Sequence, residues 1–240
     1  MGKLEIKNLI VETDGKVVVN DVSFVMESGQ AHVLMGANGS GKTSLVNSLA
    51  GHPKYQITQG EILLDGKDMS KLSVDERAKL GIFLSMQILP EIEGVTFVNF
   101  LHTAYKSLKG GEISVLDFYK YLEQKADSVG ISKEFLKREL NVGLSGGEKK
   151  QSEILQLLAL EPKFAFLDEI DSGVDIDAIN KVFAGIEQLK KQGTAFLLVT
   201  HNPEILQKIT PNKVYIMENG KIVKSGGHEI ILNIKEEGFN

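Results

Sequence analysis

A glycine-rich segment in the first quarter of the chain has the residue types needed to bind phosphate. It fits the pattern G-x-x-x-x-G-K-[ST] at every fixed position. Its residues are Gly36, Ala37, Asn38, Gly39, Ser40, Gly41, Lys42, Thr43 and Ser44. Glycine has no Cβ, so consecutive backbone N–H groups can curl around phosphate oxygens, and a following helix adds the positive end of its dipole. Lys42 can then reach the terminal phosphates of a nucleotide, and the Thr43 hydroxyl can bind Mg²⁺. The alternative is an ordinary glycine-rich turn.

Two carboxylates follow an apolar run later in the chain. Residues 164–167 read Phe-Ala-Phe-Leu, which is typical of a buried strand, and Asp168 and Glu169 come directly after them. An acid at the carboxyl end of a parallel strand lies over the same crevice as a phosphate-binding loop. There Asp168 can hold Mg²⁺ through water, and Glu169 can orient or deprotonate an attacking water. The alternative is an acid-rich helix N-terminus.

A histidine ends a third apolar run. Residues 195–200 favour a strand, and His201 follows them. By the same geometry its imidazole is expected to reach the crevice, where it can contact a γ-phosphate. The alternative is a surface or capping histidine. His32 lies inside a predicted strand and is interpreted as structural.

The pentapeptide at residues 144–148, Leu-Ser-Gly-Gly-Glu, predicts the start of a helix. Ser145 and Glu148 have the S-x-x-E spacing of a capping box. Gly146 and Gly147 in the first turn leave N–H groups uncovered and direct the helix dipole outward, which favours a second anion site. One nucleotide does not need two such sites from the same chain. The alternative is simply a well-capped helix.

The elements that must position these residues alternate between strands and helices. Residues 4–11 and 17–26 are predicted strands around an Asp14-Gly15 turn, residues 30–35 are a short strand before the loop, and a helix follows up to Gly51. From residue 141 onward the order is turn, helix, strand, helix, strand, which predicts a parallel sheet with crossover connections. The sequence therefore predicts an α/β fold.

Residues 90–139 differ from the rest and predict a helical insertion. Two apolar faces recur at helical spacing on either side of Gly110-Gly111. The first comprises Phe97, Phe100, Leu101, Ala104 and Leu108, and the second Leu116, Tyr119, Leu122 and Ala126.

Composition excludes several classes of function. The net charge of −5 argues against a general nucleic-acid binder and against attachment to anionic lipid by charge alone. Without cysteine the chain has no disulfide, thiolate metal site or cysteine nucleophile. The first residues contain no apolar signal-peptide core, and the apolar runs are far shorter than the roughly 20 residues of a membrane span. We therefore expect a soluble, cytoplasmic protein.

The motifs taken together resemble those of the ABC ATPases. Residues 144–148 are similar to the LSGGQ signature, Gln87 to the Q-loop glutamine, residues 172–175 to the D-loop, and His201 to the switch histidine. The resemblance extends from residue 3 to about residue 226, in family order. It implies a P-loop NTPase of the ABC type, a RecA-like core with an N-terminal antiparallel β region and an α-helical subdomain. Residues 1–240 would form one domain, with about 1–87 and 161–240 as the catalytic core and about 88–160 as the helical subdomain.

The same resemblance implies cofactors and roles. ATP and Mg²⁺ would be bound, with Thr43, Gln87 and Asp168 at the metal. Two copies would pair transiently on ATP binding, and each ATP would lie between one phosphate loop and the other copy's signature. The implied catalytic residues are Glu169, His201, Lys42 and Gln87; the signature residues are Ser145, Gly146, Gly147 and Glu148, and Asp175 belongs to the D-loop. Two positions depart from the family pattern: Thr13 replaces an adenine-stacking aromatic, and Glu148 replaces the usual glutamine.

A finer likeness is to the SufC group of ABC ATPases, which serve the SUF system of bacterial iron–sulfur cluster assembly. It rests on residues 51–55, 87–95, 145–150, 167–178 and 220–226, whereas Gln151 stands where a basic residue is expected. It implies a motor that acts on soluble SufB- and SufD-like scaffold proteins, without nucleic acid and without direct membrane insertion. The main alternative is the ATP-binding subunit of a membrane transporter, which shares every catalytic motif. Residues 90–100 match the cluster-assembly pattern better. A ribosome- or DNA-acting ABC protein and a non-catalytic nucleotide sensor are further alternatives.

Overall fold

A computed structural model describes residues 2–85, 89–169, 176–201, 208–227 and 230. Within these ranges the strands are β1 (Lys3–Thr13), β2 (Lys16–Glu27), β3 (Ala31–Met35), β4 (Gln56–Leu64), β5 (Lys67–Asp68), β6 (Ile82–Ser85), β7 (Ile92–Thr96), β8 (Glu139–Leu140), β9 (Phe164–Asp168), β10 (Ala195–Val199), β11 (Lys213–Glu218) and β12 (Lys221–Gly226). The α-helices are α1 (Lys42–Ala50), α2 (Val74–Lys79), α3 (Phe97–Lys109), α4 (Val115–Ser128), α5 (Gly146–Leu160) and α6 (Ile176–Lys191), and Lys133–Lys137 form a 3₁₀ helix. In the part of the chain that is described, none of the helices combines the length and the apolar character that a membrane span requires.

The chain divides into two compact units. The first comprises Met1–Ser85, Lys163–Asp171 and Lys190–Asn240, and the second comprises Met86–Pro162 and Ser172–Leu189. Most of α6 therefore belongs to the second unit, whereas the division expected from sequence placed it in the catalytic core.

The first unit contains two sheets. One has four strands in the order β2-β1-β4-β5, and its neighbours are antiparallel. The other has six strands in the order β12-β11-β3-β10-β9-β6, in which every pair is parallel except β11 with β12. Strands β3, β9 and β10 are buried at every position, as expected for strands covered on both faces. The predicted parallel sheet and N-terminal antiparallel region are both confirmed.

A single apolar core joins the two sheets of the first unit to helix α1. Leu45, Val46 and Leu49 of α1 are fully buried, because they recur at helical spacing on one face. They pack in one cluster with inward-facing residues of the antiparallel sheet, such as Leu4 and Val19. The helix that follows the glycine-rich loop is therefore fixed by its own apolar face.

Besides most of α6, the second unit contains α3, α4, α5, the 3₁₀ helix and the small antiparallel pair β7–β8. The face predicted for α3 is buried at Phe97 and Leu101. In α4 the buried residues are Phe118, Leu122 and Ala126, whereas Leu116 is 64% exposed. The expectation that Leu116 belongs to the packed face is wrong. Residues 118, 122 and 126 also recur at helical spacing, and that stripe places the Phe118 ring, which has no polar group to satisfy, in the interior.

Candidate functional site

The glycine-rich loop leaves β3 at Gly36 and enters α1 at Lys42. A Cβ at Gly36 would lie 2.2 Å from the backbone oxygen of Met217, and one at Gly41 would lie 2.6 Å from the backbone oxygen of Val18. No side chain fits at either distance, so these two glycines are required by the packing of the loop against its neighbours. Ala37, Asn38 and Gly39, at the tip of the loop, are exposed.

Lys42 brings a buried cation into this loop. Its Nζ donates hydrogen bonds to the carbonyl oxygens of Gly36 and Ala37, both at 2.9 Å, and only 6% of the residue is exposed. Burial lowers the pKa of Lys42, and the carboxylates of Asp168 and Glu169 oppose that shift by raising it. A phosphate oxygen that replaced the two carbonyls would give this desolvated ammonium a charged partner.

The start of α1 is open to an anion. Gly41 caps the helix without a side-chain hydrogen bond, and the first turn contains no acidic residue. Ser40 is buried, and its hydroxyl oxygen has no hydrogen-bond partner among the residues that the structure describes. An unpaired buried hydroxyl beside uncapped helical N–H groups fits a phosphate group, which accepts several hydrogen bonds at once. Thr43 and Ser44 occupy the first turn and are half-buried.

The strands that precede the predicted site residues lie next to one another and end at one level. In the parallel register Val199 of β10 pairs with Asp168 of β9 on one side and with Leu34 of β3 on the other. The loop after β3, the acids at the end of β9 and His201 after β10 therefore leave the same edge of the sheet. This is the place where open α/β sheets bind ligands.

The two carboxylates at the end of β9 have different environments. Asp168 is 2% exposed, whereas the Glu169 side chain is 23% exposed and its backbone has a φ of 52°. A non-glycine residue in the left-handed region costs free energy and is concentrated at functional sites. The Glu169 backbone N–H donates to the oxygen of Val199 at 3.0 Å, and this bond holds the turn. The Nδ1 atom of His201 lies 3.8 Å from Oε1 of Glu169, and the histidine side chain is half-exposed.

These donors suit a hard divalent cation. The Asp168 carboxylate and the Thr43 hydroxyl offer oxygen ligands, which Mg²⁺ prefers, and Mg²⁺ usually keeps water and substrate phosphates as its other ligands. Within the described ranges no three His, Cys, Asp or Glu side chains are grouped so as to form a metal site of their own. The residues present therefore fit a cation that arrives with a phosphate group.

The predicted helix start at residues 144–148 lies in the second unit and has the expected capping box. The Ser145 hydroxyl accepts a hydrogen bond from the Glu148 backbone N–H at 3.3 Å, and Oε2 of Glu148 accepts one from the Ser145 backbone N–H at 2.9 Å. Ser145 and Gly146 are exposed. The first turn of α5 is thus ordered and accessible.

An ion pair between Arg138 and Glu148 lies beside this capping box. Nη1 of Arg138 contacts Oε1 of Glu148, the oxygen that the capping box does not use. The two residues are ten positions apart in sequence. No helical or strand periodicity joins them, so pattern analysis gives no signal for the pair.

Of four other residues singled out in the sequence, two lie outside the described residues and two lie in strands of the first unit. Gln87 and Asp175 lie outside the described residues. Thr13 ends β1, and its hydroxyl oxygen is buried without a hydrogen-bond partner in the described part of the chain. His32 in β3 is 1% exposed and is bonded to neighbouring side chains of the same unit, as expected for a structural histidine.

Comparison with known proteins gives one consistent result. The profile of the family described as ABC transporter matches residues 19–172. Vegetative protein 296 of Bacillus subtilis is 44% identical over 99% of this chain and 92% of its own length. A probable ABC transporter ATP-binding protein of Streptococcus pyogenes is 45% identical over 100% of this chain and 94% of its own. A probable ATP-dependent transporter of Synechocystis is 45% identical over 99% and 94%.

Solved structures agree on the fold. A nucleotide-free ATP-binding cassette of an ABC transporter superposes with a TM-score of 0.79 at 24% identity, covering 99% of this chain and 96% of that one. A dimeric cassette in a post-hydrolysis state, bound to ADP and phosphate, gives 0.82 at 19% identity, covering 93% and 98%. The fold is that of the ABC-type P-loop NTPases. The chain belongs to the family of ABC transporter ATP-binding domains.

Proposed function

We propose that this chain binds ATP with Mg²⁺ and hydrolyses it. It would be the motor subunit of a larger assembly, in which ATP hydrolysis drives conformational change of the other subunits. The observation that carries the proposal is the convergence of three neighbouring strands on one edge of the sheet. That edge holds the buried Lys42, the acids Asp168 and Glu169, and His201. A site with a cation for phosphate and a carboxylate for water has the parts that phosphoryl transfer to water requires.

Each residue contributes one step. Lys42 gives up its hydrogen bonds to the loop carbonyls and binds the terminal phosphates. The other phosphate oxygens accept hydrogen bonds from the backbone N–H groups at the start of α1. Thr43 and Asp168 would hold Mg²⁺, which when bound neutralises charge on the phosphates. Glu169 orients the attacking water and takes its proton, and His201 contacts the γ-phosphate. Gln87 completes the proposed metal site.

The signature residues supply the second half of the site from another copy. Ser145, Gly146 and Gly147 form an accessible helix start in the second unit, and one ATP needs only one such site from its own chain. The dimeric state of the related cassette with ADP and phosphate supports this arrangement. Asp175 of the D-loop would lie at the same junction. The dimer would therefore form on ATP binding and separate once the products have left.

We propose further that the partners are soluble SufB- and SufD-like scaffold proteins and that ATP-driven closure changes their shape during iron–sulfur cluster assembly. The support is the sequence likeness to the SufC group, densest at residues 87–95 and 167–178. Docking is assigned to residues 88–101, which follow Gln87. Glu93 in β7 is exposed there, whereas Glu91 is paired with Lys149 at 3.4 Å.

A second candidate function is the ATP-binding subunit of a membrane transporter. The names of several relatives favour it, since they are called probable ABC transporter ATP-binding proteins or ATP-dependent transporters. The catalytic residues cannot distinguish the two, because both functions use the same reaction. The difference lies in what docks on the second unit.

Affinity capture from native lysate, followed by identification of the bound proteins and reconstitution, decides between them. The proposal expects two soluble proteins of the scaffold class, and the purified scaffold should raise the ATPase rate when it is added back. Capture of a membrane-spanning permease that stimulates the ATPase after reconstitution in vesicles would instead establish the transporter function. Lys42→Ala serves as the matched control, because it should abolish stimulation by either partner.

A further inference from the structure

The start of α5, which is proposed to bind phosphate, carries the carboxylate of Glu148. Glu148 occupies the third position of α5, within the turn that is proposed to receive the phosphates of ATP from a second copy. A negative charge in the first turn of a helix stabilises that helix but competes with a bound anion for the same N–H groups and dipole. The usual family residue at this position, glutamine, can cap the helix without the charge.

Both oxygens of this carboxylate are engaged. Oε2 accepts the Ser145 backbone N–H at 2.9 Å, and Oε1 contacts Nη1 of Arg138. The pKa of Glu148 is held below its ordinary value, first by the hydrogen bond from the Ser145 backbone, and then by the Ser145 hydroxyl and Arg138. The side chain is 33% exposed, so the ion pair is partly shielded from solvent. The Glu148 carboxylate is therefore negatively charged, and the guanidinium of Arg138 lies directly against it.

Arg138 is held in place independently of Glu148. Its backbone oxygen accepts the N–H of Phe97 at 3.1 Å, and its guanidinium lies 5.9 Å from the centre of the Phe135 ring. Its Nη2 also approaches the oxygen of Gly143 at 3.5 Å. The capping box, in turn, uses only Ser145 and Glu148. Loss of the guanidinium therefore leaves the capping box intact and removes the charge opposite Glu148, together with the weaker contacts to Gly143 and Phe135.

We propose that Arg138 is a positioning residue that neutralises Glu148 and thereby lets the start of α5 accept the phosphates of an ATP bound to a second copy. This role rests on the proposed function, because it needs the ATP-dependent dimer. Without Arg138 the full charge of Glu148 would act on the incoming phosphates. With Arg138 in place, the Arg138–Glu148 pair carries no net charge, as a glutamine at position 148 would carry none.

The variants Arg138→Gln, Glu148→Gln and the double variant test this role of charge. ATP-dependent dimerisation is measured in the Glu169→Gln background, and KM and kcat are measured in the native background. Arg138→Gln should raise the ATP concentration needed for half-maximal dimerisation and the KM by about two- to thirtyfold, the range expected for one charge at a helix N-terminus. Glu148→Gln alone leaves the charge of Arg138 unopposed beside the incoming phosphates and should lower both values. The double variant should return to native behaviour, because the neutral amide caps the helix without opposing the phosphates. The defect of Arg138→Gln should also shrink in high salt, which screens partly exposed charges.

Lys125→Gln is the matched control. Lys125 pairs with Glu161 beyond the opposite end of α5, so its loss removes one cation of the same unit far along the helix from the signature residues. It should not change dimerisation. Native behaviour of Arg138→Gln, or a double variant as impaired as Arg138→Gln, would overturn the proposal. If the Glu169→Gln background itself forms no dimer with ATP, the composite site fails and the role given to Arg138 fails with it, a result that differs from failure of the variant alone.

Discussion

The buried histidine of the central sheet makes a quantitative prediction about stability. His32 lies in β3, and its Nε2 is 3.0 Å from Oε1 of Gln30, while its Nδ1 is 3.2 Å from the hydroxyl of Tyr215. One ring nitrogen donates and the other accepts, so the neutral imidazole satisfies both neighbours. Burial lowers the pKa of His32 from 6.5 to about 4, and the charge of Lys213 adds to the shift. The folded protein therefore resists protonation at this residue.

The sign and size of the effect follow from the two pKa values. Between pH 6.5 and about 4 the unfolded chain binds a proton at His32 and the folded chain does not, so the free energy of unfolding falls as the pH falls. Protonation of the unfolded state alone should remove about 2 kcal/mol by pH 5 and about 3 kcal/mol below pH 4. That is a large part of the roughly 5–15 kcal/mol that stabilises a typical domain.

Urea unfolding at pH 7.5 and pH 5.0 measures this effect. The native protein should lose about 2 kcal/mol more than His32→Gln over this interval, because glutamine has no proton to take up. His52→Gln, which removes a partly buried histidine elsewhere in the same unit, controls for the loss of a histidine as such. Equal pH dependence in native protein and His32→Gln would refute the assignment of a neutral, buried imidazole.

Three further predictions follow from the site and its surroundings. Gly36→Ala should destabilise the fold by about 3 kcal/mol or more, because its Cβ would lie 2.2 Å from a backbone oxygen of β11, whereas Gly39→Ala, with nothing within 4 Å, should cost only about 1 kcal/mol; equal losses in urea unfolding would contradict this account of the loop. Glu169→Gly should abolish hydrolysis yet raise the free energy of unfolding by about 1 kcal/mol, because glycine relieves the left-handed backbone there; a destabilised variant would show that the backbone is not strained. Glu93→Lys should weaken stimulation of the ATPase by a purified scaffold and leave the basal rate intact, whereas Glu112→Lys, at an exposed position between α3 and α4, should be stimulated like the native protein; equal stimulation of both would place the docking surface elsewhere.

Much of the fold was predictable because its signals are local. The glycine-rich loop, the strand-end acids and the S-x-x-E capping box each depend on residues within a few positions of one another. The order of strands and helices then implied a parallel sheet, and the sheet brought Asp168 and His201 to the edge occupied by the loop. Leu116 was assigned to a packed face wrongly, because two apolar stripes in α4 share Leu122 and Ala126, and periodicity alone does not choose between them.

Two side-chain contacts could not be predicted, because each joins residues that no local pattern relates. Arg138 and Glu148 meet across a loop, and no periodic pattern marks such a pair. His32 was interpreted as structural, but its partner Tyr215 lies 183 positions away, so neither the contact nor the lowered pKa could be derived from sequence. Long-range contacts of this kind depend on how sheets align, and the sequence specifies that alignment only through the whole fold.

The central claim is that Glu169 activates water for ATP hydrolysis in a dimer that ATP itself closes. Glu169→Gln tests it most directly, with single-turnover hydrolysis and the size of the particle measured with and without ATP and Mg²⁺. The account predicts hydrolysis slower by about 10²–10⁴-fold, unchanged ATP binding, and a stable dimer that appears only with ATP. Lys42→Ala is the control and should instead lose ATP affinity and remain monomeric. Near-native hydrolysis by Glu169→Gln, or a variant that binds ATP and stays monomeric, would contradict the account.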